Sequence, residues 1–157
     1  MLMDDSHFDD TYICVHLLNK LVQITESEFG FLTTMTDRHK LQGHTTTDFA
    51  WNEFTKHMFI KELNSLELSY QHPVFKSVID KQTACIIHDP PSFLPSGHPT
   101  IKQMLCVPIY DGEHMIGILS VCNKFEKYSN KDIQRASDIL HSSTTQRIIK
   151  KYICNEK

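Results

Sequence analysis

The sequence predicts an α+β domain, an antiparallel sheet with helices on its faces. Three observations predict it. Apolar residues recur at helical spacing at both ends of the chain, over about residues 8–25 and 130–152. Between them stand two pairs of alternating or apolar runs, each pair joined by a short polar segment that reads as a hairpin turn. No repeat, low-complexity stretch or Gly/Ser linker divides the 157 residues, which suit one domain and are short for two.

The first helix spans about Phe8 to Thr25. Tyr12, Val15, Leu18 and Val22 form one apolar row and Ile13, Leu17, Leu21 and Ile24 a second. So wide an apolar surface implies a helix deep in the core or one with a second partner. Glu28 to Thr36 alternates as a strand, Asp37, Arg38 and His39 turn, and Lys40 to Thr47 returns. Short helical pieces are expected around Trp51–Met58 and Leu63–Tyr70. Pro73 opens a helix to about Lys81, at a position where a missing N–H costs nothing.

Thr83 to Ile87 is a short apolar strand. Pro90, Pro91, Pro95 and Pro99 make the following stretch irregular. Gln103 to Tyr110 is a strand whose Pro108 breaks its ladder or faces an edge. Asp111-Gly112 signals a two-residue turn, and Met115 to Lys124 returns as an apolar, central strand. Ser129 to Asp132 resembles a capping box, opening a long helix to about Tyr152. If the first and last strands are antiparallel neighbours, the terminal helices are antiparallel too. Asp4, Asp5, Asp9 and Asp10 would then lie near Arg147, Lys150, Lys151 and Lys157. Each set also suits the dipole of its own helix end.

Composition narrows the function. Sixteen Lys and Arg against nineteen Asp and Glu give −3, which argues against non-specific nucleic-acid binding. No apolar run reaches the roughly 18 residues of a membrane span, and no signal-peptide segment follows Met1. The expectation is a cytoplasmic protein. Cys14, Cys85, Cys106, Cys122 and Cys154 lie mostly in apolar runs without a CxxC pair, which favours buried thiols in a reducing compartment. Ten histidines raise the question of a metal. His39 and His44, or His88 and His98, could share a site, but no tight Cys/His spacing or HExxH supplies a set. No metal and no cofactor are expected.

Several strings resemble a GAF domain, the small-molecule sensor module of signalling proteins, in the form found in bacterial sensor kinases. They are Ile24 to Phe31 at the helix–strand junction, Thr47 to Glu53 with its Ala50-Trp51-Asn52, and His88-Asp89-Pro90. Leu94 to Pro99 and the pair Val107 to Tyr110 and Ile116 to Leu119 complete them. The resemblance covers about Phe8 to Leu140. It departs at Cys122-Asn123-Lys124-Phe125, where relatives more often carry a small residue, then Asn and Arg. The segment between His88 and Leu94 is also shorter than usual. The resemblance implies a central antiparallel sheet of five or six strands. The N- and C-terminal helices would lie on one face, with loops and short helices over a pocket on the other. It also implies a homodimer through the terminal helices.

The candidate ligand-binding residues are Trp51, Asn52, His88, Asp89, Leu94, His98 and Pro99. Trp51 offers a face for a flat ligand and Asn52 both donates and accepts. Equally ordinary roles are open to them: Trp51 can plug the core and Asn52 cap a helix. Asp89 before Pro90 is either a ligand acceptor or a turn opener, and His98 either touches ligand or pins its loop. The expected function is non-catalytic sensing of an unidentified small molecule, coupled to a dimer partner or an output domain such as a kinase. Two alternatives stand beside it. One is a thiol-dependent reductase of free methionine sulfoxide using Cys85 or Cys106, disfavoured because both sit in apolar strands. The other is a structural dimerisation module whose pocket is self-filled.

Overall fold

In the computed structural model, which describes residues 5–35, 40–47, 67–69, 73–90 and 100–153, the first and last strands meet at the centre of one sheet. Helix α1 (Asp5–Ile24) leads into β1 (Phe29–Met35) and β2 (Lys40–Thr46). Then come β3 (Glu67–Ser69), α2 (Pro73–Lys81), β4 (Cys85–His88), β5 (Gln103–Asp111) and β6 (His114–Cys122). After β6 come α3 (Asn130–Leu140), α4 (Ser143–Ile148) and a π-helical turn, Ile149–Ile153. Among the described residues the sheet is fully antiparallel, six strands in the order β3-β2-β1-β6-β5-β4.

Strand alternation sorts side chains into two cores. Leu32, Leu105, Val107, Ile109, Leu119 and Val121 face α1, α3 and α4. Phe29, Phe31, Met104, Cys106, Ile118 and Cys122 face the other way, where α2 packs with Val74, Phe75 and Val78. The terminal helices therefore share one face, as the resemblance implies. On α1 the fully buried stripe is Cys14, Leu17, Leu18 and Leu21, a 3–4 spacing, while Ile24 is partly exposed. Helix and sheet are pressed together at Gly30, where an added Cβ would lie 2.9 Å from the Ser120 carbonyl and 3.1 Å from Val22 Cγ2.

Helix α1 stops in a Schellman motif: Ser27 N–H bonds the Val22 carbonyl and Glu26 N–H the Gln23 carbonyl. Glu26 takes the left-handed position, φ 56°, where glycine is usual.

Four expectations are corrected. The final helix is not continuous to Tyr152; it breaks at His141–Ser142. Ser142 Oγ donates to the Ile139 carbonyl and accepts Thr145 N–H, so it ends α3 and caps α4. The hairpin turn is Gly112-Glu113 rather than Asp111-Gly112, since Asp111 pairs with His114. Gly112 has φ 63° at the first central position, as a type II′ turn needs. Glu67–Ser69 is a strand rather than part of a helix, because it pairs with Lys40–Gln42 of β2. β4 begins two residues later than expected and includes His88.

Pro108 sits in an interior strand, yet β4 pairs only with Gln103–Cys106. Its position therefore lies on the stretch of β5 that no other described strand flanks on that side, the tolerable place for a residue without N–H. The helical piece expected near Trp51–Met58 and the aspartates at the chain start fall outside the described residues or side chains.

Candidate functional site

Two of the seven predicted site residues, His88 and Asp89, lie together at one end of the sheet, where β4 and β6 finish and β1 and β5 begin. His88 pairs with Gln103 across the ladder and is exposed. Asp89 turns the chain out of β4 with φ 47°, and its N–H donates to the Lys102 carbonyl at 2.9 Å. Trp51, Asn52, Leu94, His98 and Pro99 lie outside the described residues. His88 and Asp89 line a cleft of about 520 Å³, with Glu28, Lys102 and Asn123 on its walls and Phe125 and Lys127 at its lip.

Two amide side chains of the lining, Asn123 and Gln103, hold the backbone around the cleft. Asn123 ends β6 in the left-handed region, φ 63°. Its Oδ1 accepts Lys102 N–H at 2.7 Å and its Nδ2 donates to the Thr100 carbonyl at 2.6 Å. Gln103 is buried; its Nε2 donates to the carbonyls of Lys124 and Glu126, and its Oε1 accepts Tyr128 N–H at 3.2 Å. Asn123 thus fixes the run into β5, and Gln103 fixes the linker between β6 and α3.

The same linker carries two ties to the terminal helices. Lys124 Nζ donates to both Asp132 carboxylate oxygens, at 2.8 and 3.1 Å, and Asp132 is fully buried. Asp132 Oδ2 also accepts Ser129 N–H at 2.9 Å, the capping-box bond expected at the start of α3. Tyr128 and Ser27 hydroxyls lie 2.6 Å apart, and Ser27 in turn meets Thr25, whose hydroxyl donates to the Leu21 carbonyl in α1. Burial is the main reason the Tyr128 hydroxyl is pushed well above the usual tyrosine range.

Sequence reasoning missed Asn123, Gln103, Tyr128 and the partner of Lys124. A signal for Asn123 existed: an apolar strand ending in Asn, a residue that tolerates the left-handed region. The partner of Lys124 had no local signal.

On the α2 face, Cys85 stands opposite Cys106, and Cys122 lies opposite Met104. Burial pushes the Cys106 thiol up to about 12, Cys122 well above its ordinary value, and Cys85 upward. A thiolate nucleophile is therefore disfavoured at all three. Among the described residues no group of three or more His, Cys, Asp or Glu could hold a metal ion. Nor, among them, is any helix long and apolar enough to cross a membrane.

Solved structures share this architecture at low identity. A GAF domain/HD domain protein from Geobacter sulfurreducens is 16% identical with a TM-score of 0.67, over 92% of this chain and 94% of that one. The GAF domain of an Acinetobacter phosphoenolpyruvate-protein phosphotransferase is 12% identical with a TM-score of 0.66, over 99% of each chain. A type II free methionine-R-sulfoxide reductase from Thermoplasma acidophilum is 11% identical with a TM-score of 0.63, over 92% of this chain and 94% of that one. At these identities the likeness shows the fold alone. Among curated proteins none matches the chain. The family model described as GAF domain matches residues 12–141, most of the chain, and so the protein belongs to the GAF domain family.

Proposed function

We propose that this domain is a non-catalytic sensor. It binds a small molecule at the His88–Asp89 end of the sheet and reports occupancy to its terminal helices. In this reading it works in the cytoplasm as a homodimer, coupled to a partner or an output domain such as a kinase. The observation that carries the proposal is the bonding around the cleft. Thr100 and Lys102 are tied to Asn123, Gln103 to Tyr128, Tyr128 to Ser27 of the α1 exit, and Lys124 to Asp132 of α3. A ligand that shifts the backbone at Lys102 or the linker therefore acts on groups bonded to both helices. Differential affinity for two arrangements of those groups is all that sensing requires.

The test is a thermal-shift screen with nucleotides, amino acids and heterocycles. A binder at 100 times its dissociation constant adds about 2.7 kcal/mol. A hit whose stabilisation survives Asn123→Ala and His88→Ala would overturn the placement of the site. The reductase reading makes a different prediction, turnover of free methionine sulfoxide that vanishes in Cys106→Ser. The raised Cys106 pKa supports the expectation that no such turnover occurs.

A further inference from the structure

The linker between β6 and α3 is held by side-chain bonds on both sides of Phe125, yet that one large apolar side chain is left outside. Carbonyls of Lys124 and Glu126 are held by Gln103, Tyr128 N–H by the same side chain, and the Lys124 ammonium by Asp132. Phe125, between them, is fully exposed, at 103% of its reference area. A rigid backbone that presents a bare aromatic ring is pre-organised as an interface anchor, because little ordering remains to be done on association.

An apolar groove runs along α3 from Ile133 to His141. Beyond Cys85 no strand among the described residues pairs with the outer flank of β5, and there Val107 and Ile109 meet Leu140 and Ile149 to form the floor of a groove of about 410 Å³. Ala84 and Ile133 are its half-buried walls, and Ser137, His141 and Gln146 its polar rim. Phe125 precedes α3, and the far rim of the groove, at His141, follows its 11 residues, about 16 Å at 1.5 Å per residue.

We propose that Phe125 anchors a two-fold dimer of this chain by entering the groove between β5 and α3 of a second copy. The proposal rests on the reading of the domain as a homodimer through its terminal helices and names the contact that makes it. Charge on α3 favours a second copy as the occupant. Lys131, Gln134, Arg135 and Asp138 are all exposed. Two antiparallel α3 helices with their axis between Gln134 and Arg135 set each Lys131 opposite the other copy's Asp138. The same register carries each Phe125 toward the other copy's bend between α3 and α4, where His141 and Gln146 rim the groove. Such an interface is isologous, with each contact made twice, so it closes as a dimer.

The experiment is sedimentation of the full chain over a concentration series, with folding of each variant checked by circular dichroism. The unaltered chain is expected to dimerise. Phe125→Ala, which removes the anchor, and Ser137→Trp, which fills the groove, should each weaken the dimer at least tenfold. An equimolar mixture of the two variants should associate more tightly than either alone, because it restores one anchor and one groove. Lys131→Glu should weaken the dimer, and adding Asp138→Lys should recover it. A chain monomeric at roughly 100 μM overturns both this proposal and the homodimer reading. A dimer whose affinity is unchanged by Phe125→Ala, or a mixture no tighter than its components, overturns the anchor and leaves a dimer held elsewhere on the helices.

Discussion

Lys124 Nζ lies 2.8 Å from one carboxylate oxygen of Asp132 and 3.1 Å from the other, and the pair is almost withdrawn from water. The Asp132 side chain is fully buried and that of Lys124 is 11% exposed. This pair clips the end of the central strand to the first turn of α3. Removing Lys124 leaves the buried carboxylate with only the Ser129 N–H and, 4.0 Å away, the half-exposed Arg135 guanidinium. Lys124→Met should therefore cost about 3–5 kcal/mol in urea unfolding. The double variant Lys124→Met, Asp132→Leu should recover part of that loss, though Ser129 N–H then loses its acceptor. A single variant within about 0.5 kcal/mol of the parent would remove the pair from the account.

Asn123 combines a backbone role with a bonding role, and substitution separates them. Asn123→Gly keeps the left-handed φ of 63° but loses the bonds to Lys102 and Thr100. Asn123→Ala loses the bonds and adds steric strain. The expected order of stability is Asn, then Gly, then Ala, with about 1–3 kcal/mol for the bonds and about 1 kcal/mol more for the strain. Chemical denaturation of the three proteins reads this directly. Equal losses for Gly and Ala would show that the conformation contributes nothing.

At Glu26 the backbone works against the residue type. The position closes the Schellman motif of α1 with φ 56°. Glu26→Gly should stabilise the protein by a few tenths to about 1 kcal/mol, since relief of the Cβ clash outweighs the added unfolded-state entropy. A lower melting temperature for this variant would mean that the Glu26 side chain makes a contribution greater than the strain.

Alkaline pH should weaken the fold. The Cys106 thiol, raised by burial to about 12 from 9.0, keeps its proton in the folded state where the unfolded chain has lost it. The stability it contributes is complete below about pH 9 and is lost as pH rises toward 12, because the folded state then binds more protons than the unfolded one. Cys122 and Tyr128 are shifted in the same direction, so they add to the slope. Urea midpoints at pH 8 and pH 10 should fall for the parent and fall less for Cys106→Ala. Identical slopes would mean that Cys106 does not titrate through unfolding.

What could be read from the residues depended on whether each feature is local. The two-residue turn between β5 and β6, the Ser129–Asp132 cap and the Pro73 helix start are written in neighbouring residues, and each stands within a residue of its expected place. The break after Leu140 was also local. Ser142, Ser143, Thr144 and Thr145 are four hydroxyls in a row, able to satisfy backbone groups outside a helix, but the apolar spacing beyond them masked it. β3 was hidden because three residues, Glu67–Ser69, become a strand only by pairing with β2 far away in sequence. The site divides likewise. His88 and Asp89 were legible as a strand exit before proline. The bonds of Gln103 to Lys124, Glu126 and Tyr128 span 21–25 residues and have no local signature.

Hydrogen exchange on Asn123→Ala tests the coupling of cleft to helices most directly. Exchange should quicken at the amides of Lys102 and Gln103 and also in the first turns of α3 and the last turn of α1, beyond what the global loss of stability produces. Faster exchange confined to residues 100–103, with α3 and α1 unchanged, would contradict it.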